Sequence, residues 1–295
     1  MHQKNVSVII TSFNGSKYIK KQMDSIFKQS IMPEEIIICD DHSSDETITL
    51  LKSYTSNDIL KLYVNDKQLG VVENFKKAAK MARQGNQLIF ADQDDIWTPQ
   101  KLQKLTDAMQ LIDDNITPAL VYSDLAVIDK NDDIIYESFW GKQKIRPEKI
   151  NLATLLYGNV VTGCTMIINY PMAEELFCID TIDYLHDEWL SLIAYSFGKV
   201  DFLNEKLVLY REHENNVTLS ENYKPLGIIN NIKTEIDYLS GKRKFLARQF
   251  DLAKEFLSKY HSKLNAAQIN IIENFIKQEN DNYLLKRIKR RITYS

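Results

Sequence analysis

The sequence is short of cysteine, has no apolar run long enough to cross a membrane, and contains neither internal repeats nor low-complexity segments. Its 295 residues include three cysteines, Cys39, Cys164 and Cys178, an odd number with no short metal-ligand spacing. That argues against a disulfide framework and for a reducing, cytoplasmic setting, with each thiol read as a small buried hydrophobe. The first apolar run, Val6 to Thr11, is too short for a secretory leader and is followed by a turn. Residues 150–173 carry no charge, yet Asn151, Thr154, Gly158, Asn159, Thr162, Gly163, Asn169 and Pro171 interrupt them. A membrane span needs about 20 mainly apolar residues, so this stretch is not one. In a cytoplasmic protein the sequons at Asn5, Asn14 and Asn216 carry no glycan.

What is present is the composition of an ordinary globular protein, 44% hydrophobic and 26% charged, with length for one large α/β domain and an appendage. The net charge of −3 conceals an asymmetry. From Lys242 onward 13 Lys and Arg face 5 Asp and Glu, a balance of +8 that leaves −11 on the rest. An acidic body suits a divalent cation, and a basic tail suits an anionic surface.

The first half alternates β-rich and amphipathic segments. Val6 to Thr11, Ile36 to Cys39, Leu60 to Val64 and Gln87 to Ala91 read as strands, with helices following about Lys17, Asp45, Val71 and Pro99. Such alternation predicts a parallel sheet flanked by helices, whose ligands bind beyond the carboxyl ends of the strands. Thr11 to Asn14, Asp40 to Asp45 and Asp92 to Asp95 are therefore expected on one rim. Further on, Leu120 to Ile128, Gly163 to Ile168 and Leu207 to Arg211 read as strands and Asp187 to Phe197 as a helix, while from Pro225 the apolar spacing is helical.

Asp92, Asp94 and Asp95 place three carboxylates within four residues. Their mutual repulsion is offset if a hard cation with oxygen ligands arrives, such as Mg²⁺ or Mn²⁺ carrying a substrate diphosphate. Taken alone, the same residues also describe a solvated acidic loop before a helix.

The surrounding motifs narrow the choice. Val8-Ile-Ile-Thr-Ser-Phe-Asn14, Cys39-Asp-Asp-His-Ser-Ser-Asp-Glu-Thr47 and Ile89-Phe-Ala-Asp-Gln-Asp-Asp-Ile-Trp97 are followed by Gly163-Cys-Thr-Met166, His186-Asp-Glu-Trp189 and Tyr210-Arg-Glu-His-Glu-Asn-Asn216. In this order they resemble the family-two glycosyltransferases of GT-A fold, in particular a bacterial rhamnosyl- and galactosyltransferase-like branch. The resemblance covers about residues 4–220. It implies a Rossmann-like mixed sheet flanked by helices over residues 1–220, and the helical apolar spacing beyond it makes residues 221–295 a helical C-terminal extension.

The resemblance also implies roles. Thr11, Phe13 and Asn14 would lie against nucleobase and ribose, with Phe13 open between base contact and core packing. Asp41 would accept the base imide N–H, or else form a turn or cap. Asp92 would touch the ribose, and Asp94 with His213 would hold Mn²⁺ or Mg²⁺. Asp187 would be the general base that takes the acceptor hydroxyl proton in an inverting transfer. Trp189 and Glu188 are expected at the acceptor site; Trp97 and Trp189 are each open between sugar stacking and the core. His42 stands where many relatives have glycine, which questions any glycine-dependent backbone there.

The reaction expected is transfer of rhamnose from dTDP-rhamnose, or of galactose or another hexose from a UDP-sugar, onto a lipid-linked surface-polysaccharide precursor. The basic segment Lys286 to Arg291 is expected to rest on the inner face of a bacterial membrane, and no nucleic acid is expected because the body is acidic. Two other classes carry specific requirements. A nucleotidyltransferase wants a glycine- and base-rich phosphate loop, which Thr11-Ser-Phe-Asn-Gly15 is not; an inactive glycan- or membrane-binding scaffold has no need of Asp94, Asp187 and His213 together.

Overall fold

The computed structural model describes residues 5–179, 184–214, 237–238, 240 and 244–294. The expected boundary at 220/221, the start of the helical pattern at Pro225 and the sequon at Asn216 lie outside the described residues.

Four parallel strands form first: β1 (Val6–Ser12), β2 (Glu35–Asp40), β3 (Leu60–Val64) and β4 (Gln87–Ala91). β2 and β4 are buried along their whole length, as expected of central strands covered on both faces. The register pairs Ile10 with Ile38 and with Ala91, so β1, β2 and β4 stop at one level and deliver Ser12, Asp40 and Asp92 side by side. Crossover helices α1 (Ile19–Phe27), α2 (Thr47–Lys52) and α3 (Val71–Lys80) separate them.

A second half continues the sheet through β5 (Ile96–Trp97), β6 (Ala119–Ile128), β7 (Ile134–Tyr136), β8 (Met166–Ile168) and β9 (Lys199–Arg211). The strand order is β3-β2-β1-β4-β8-β6-β9-β5, with β7 on β6. β8 runs antiparallel to both β4 and β6, which makes the sheet mixed, as expected. Between these strands lie α4 (Lys101–Ile112), α5 (Phe139–Gln143), α6 (Leu152–Leu156), α7 (Tyr170–Phe177) and α8 (His186–Phe197). β9 is longer than the Leu207 to Arg211 segment read from sequence: residues 199–206 pair with β6 through register shifts that charged residues mask.

The tail folds as α9 (Ala247–Tyr260), α10 (Ala266–Lys277) and α11 (Tyr283–Thr293). Phe250, Phe256, Tyr260 and Phe275 join Trp189, Leu190 and Leu155 in one hydrophobic cluster, so these helices share the core of the sheet domain. Trp189 is central to that union, with ring centroids 5.7 Å from Phe256 and 6.0 Å from Tyr260. Among the described residues no helix is long and apolar enough to cross a membrane.

Candidate active site

The strand ends open onto a cleft of about 1020 Å³. Thr11, Phe13 and Asn14 from the β1 end, Asp41 after β2, Asp92 and Asp94 after β4, Asp187 on α8 and His213 after β9 all line it. Residues more than 200 positions apart in sequence thus share one cavity.

The loops that form its floor are tied by side-chain bonds to backbone. Asn14 takes a left-handed conformation (φ 47), donates its N–H to Ser43 Oγ at 2.8 Å and accepts from Ser44 N at 2.9 Å. Asp45 accepts the N–H of Thr47 two residues on, an Asx-type bond just before α2, whose N-cap position is Glu46. Gln93 binds the Phe13 backbone in both directions, accepting its N–H at 2.9 Å and donating to its carbonyl at 3.0 Å. The path of that side chain explains Gly15: a Cβ there would stand 2.0 Å from Gln93 Oε1. Phe13 itself is 40% exposed at the cleft, which removes it from the core. His42 does adopt a left-handed backbone (φ 69), held by a 3.1 Å bond between Nδ1 and Asn65 O. The geometry that suits glycine is therefore kept, at a cost of about 1–2 kcal/mol.

Asp41 is buried and heavily engaged. Its oxygens accept from Asn65 Nδ2 at 2.8 Å, Leu69 N at 2.7 Å and Gly70 N at 2.8 Å. A carboxylate offers about four lone-pair positions, so about one is left for a ligand. Asp41 anchors the 65–70 loop as well as facing the cleft.

The acidic run after β4 divides into two environments. Asp94 turns to the cleft and lies 2.7 Å from His213 Nε2, whose ring stacks on Tyr18 at 5.3 Å between centroids. One carboxylate oxygen and one imidazole nitrogen, both at the cleft wall, are a donor pair that a hard divalent cation accepts; the site fits such an ion. Asp95 turns inward, fully buried, accepts the N–H of Arg211 at 3.1 Å and has its carboxyl held well above the usual range by burial and by the Asp94 and Asp92 charges. Asp92 is raised to about 7, first by burial and then by Asp94, with Lys101 opposing.

Asp92, Asp95 and Cys164 also present ligand atoms within 4.8 Å of one another. Lys101 packs beside this second cluster. It is fully buried, donates to Cys164 O at 2.6 Å and is itself lowered to about 7 by burial against the pull of Asp95 and Asp92. We read it as a buried polar network supporting the acidic loop, with Asp94 and His213 as the metal-type pair.

Arg211 completes the support, a role that the sequence motifs do not disclose. It is fully buried, donates from Nε to Asp94 O at 2.8 Å and from Nη1 to Asp129 O at 2.8 Å, and pairs with Asp132 at 2.6 Å. Its place two residues before His213 was the available signal.

Asp187 stands on the first turn of α8 and lines the same cleft. It accepts from Gly163 N at 3.0 Å and from Glu188 N at 2.8 Å. Burial, then the neighbouring Glu188 charge, pushes its carboxyl up to about 7 despite those two bonds. A carboxylate with that affinity for a proton is matched to take one near neutral pH.

Two expectations are corrected, and Trp97, open between sugar stacking and the core, lies in the core. Trp189 is 1% exposed and lies in the interface with α9, donating from Nε1 to Tyr260 OH at 3.3 Å, so it does not reach an acceptor. Glu188 turns the same way: it accepts from Arg248 Nη1 at 2.7 Å and from Nη2, and closes the first turn by accepting Leu185 N at 3.1 Å. Successive helical positions point about 100° apart, and Asp187 alone of this pair faces the cleft. Trp97 is buried under Lys101, whose Nζ is 3.5 Å from the ring centroid.

This mixed sheet, flanked by helices and with a cleft at its strand ends, is the GT-A glycosyltransferase architecture. Solved structures that share it include Staphylococcus aureus TarS 1–349 in complex with UDP-GlcNAc, with TM-score 0.61 and 18% identity over 98% of this chain and 89% of that one. Another is the mannosyltransferase PcManGT from Pyrobaculum calidifontis in complex with GDP-Man and Mn²⁺, with TM-score 0.58 and 14% identity over 99% and 74%. Residues 7–177 match the model for glycosyl transferase family 2, and the chain belongs to that family. WfgD of Escherichia coli, a UDP-Glc:alpha-D-GlcNAc-diphosphoundecaprenol beta-1,3-glucosyltransferase, is 30% identical over 64% of this chain and 69% of its own length. The dTDP-rhamnosyl transferase RfbG of Shigella flexneri is 27% identical over 75% and 79%. The match to an uncharacterized glycosyltransferase of Rickettsia prowazekii, 27% identical, spans 64% of that protein's length.

Proposed function

We propose that the protein is an inverting, metal-dependent glycosyltransferase that moves a hexose or deoxyhexose from a nucleoside-diphosphate donor to a lipid-linked glycan. The observation that carries this reading is the convergence of Asp41, Asp94, His213 and Asp187 on one cleft. The donor nucleoside would lie along Thr11 to Asn14 and Asp41, with Asp92 at the ribose. Asp94 and His213 would hold Mn²⁺ or Mg²⁺, which when bound neutralises the charge of the departing diphosphate. Asp187 takes the proton of the acceptor hydroxyl while its oxygen bonds to the anomeric carbon and the bond from that carbon to the diphosphate breaks. The sugar inverts, and the products are the glycoside and the nucleoside diphosphate.

RfbG supports dTDP-rhamnose as donor, and WfgD supports a UDP-hexose and an acceptor carried on a lipid diphosphate. Such an acceptor would bring the enzyme to the cytoplasmic face of a membrane. The test is donor hydrolysis across dTDP-rhamnose, UDP-galactose, UDP-glucose and UDP-GlcNAc, with Mn²⁺ and with EDTA. Turnover of at least one sugar, abolished by EDTA and by Asp94→Asn, is expected; turnover of none would overturn the reading.

A further inference from the structure

The last helix, α11, leaves the wrong residues outside for a soluble surface. Tyr283 and Lys286 face inward, with Lys286 donating to Glu279 O at 2.8 Å, and Tyr294 just beyond fixes the helix to the α6 region through Thr154 O at 2.9 Å. Outward stand Leu284, Leu285, Ile288 and Ile292, exposed by 56%, 39%, 55% and 69%. Leu284, Ile288 and Ile292 recur every fourth residue, so they form one stripe about 12 Å long. The helix is held, and its apolar side is still uncovered by any described residue.

Charge surrounds that stripe. A groove of about 1250 Å³ runs between α11 and the segment from α5 to α6. The described residues lining it include six cations, Lys144, Arg146, Lys149, Arg287, Arg290 and Arg291, against one acid, Glu148. Leu284 and Ile288 form part of the same wall.

We infer that α11 and this groove are a docking face for an anionic phospholipid bilayer, with headgroup phosphates in the groove and the Leu284–Ile288–Ile292 stripe at the acyl boundary. The proposal deepens the reading of a lipid-linked acceptor by naming the surface that meets the membrane. Two signals coincide here, buried apolar area and basic side chains, as stable interfacial binding requires. A second copy of the chain fits worse, because a two-fold contact would set these cations against themselves. Nucleic acid would answer the charges and leave the isoleucines in water.

The test is flotation of the full chain with vesicles of phosphatidylcholine alone and of phosphatidylcholine mixed with phosphatidylglycerol. Binding to the acidic vesicles only is expected, weakened by salt. Arg287→Glu with Arg291→Glu, and separately Ile288→Glu with Ile292→Glu, should each weaken it by roughly tenfold or more. Both pairs are surface residues, so donor hydrolysis without vesicles should stay at the parent level. No binding to acidic vesicles, binding unchanged in both variants, a dimer that Ile288→Glu dissolves, or RNA retention in place of lipid would each overturn the proposal. Vesicle binding by a protein that hydrolyses no donor would leave the docking face standing and remove the proposed reaction.

Discussion

Replacing Asp187 by Asn separates chemistry from folding in one protein. The folded carboxyl is held near 7 against 3.8 in an unfolded chain, because burial disfavours its charge. The folded state therefore binds this proton more tightly. Above both values the ionised group lowers stability, and the loss accumulates as pH rises from about 4 to about 7. Three units correspond to about 4 kcal/mol at most. Asn removes that cost but keeps only one acceptor oxygen for the N–H groups of Gly163 and Glu188, returning about 1–2 kcal/mol. The net expectation at pH 8 is a variant more stable by about 2 kcal/mol, a few degrees in the melting midpoint; near pH 4, where the charge cost is absent, the lost acceptor leaves it about 1–2 kcal/mol less stable. Transfer should fall by roughly 10²–10⁴, the usual contribution of a general base. The wild type should lose activity as pH drops through about 7, when the base acquires its proton. Thermal melts at both pH values and product nucleotide release would measure all of this. Retained activity, or a variant equally destabilised at pH 4 and pH 8, would refute the reasoning.

Gly163→Ala introduces a Cβ 3.0 Å from His186 Nε2 and 3.7 Å from Asp187 Oδ2; kcat should drop at least about tenfold while circular dichroism stays unchanged. Arg248→Ala breaks the two-pronged bond to Glu188 and should cost about 2 kcal/mol in urea melts, with Arg248→Lys recovering only part. His186 is buried with neither ring nitrogen bonded and is lowered to about 4 by burial. Stability should thus fall as pH drops from about 6.5 towards 4, where the unfolded histidine gains a proton the folded one resists, and His186→Phe should flatten that slope in pH-dependent melts.

The rim of the cleft was legible because strand ends obey a simple geometric rule. Thr11 lies in the last pleat of β1 while Asp41 and Asp92 directly follow β2 and β4, and the register alone brings them near one level. Asp94 and His213 needed the resemblance, since 119 positions separate them and no periodicity connects them. The positions of Glu188 and Trp189 are not specified by sequence for a definite reason. A helix start shows that neighbouring residues diverge, yet which one meets the cleft depends on where α9 packs, and Arg248 lies 60 residues away. Gln93 and Lys101 escaped notice because their partners are backbone atoms, the Phe13 amide and the Cys164 carbonyl, which leave no trace in side-chain pattern.

The wedge of Trp189 between Phe256 and Tyr260 has a bearing on how such enzymes diversify. The helix that bears the proposed proton acceptor is seated on its inner side by the sheet and on its outer side by the tail. Exchanging tails between relatives would therefore shift the base as well as the surface, unless α8 travelled with its own seat.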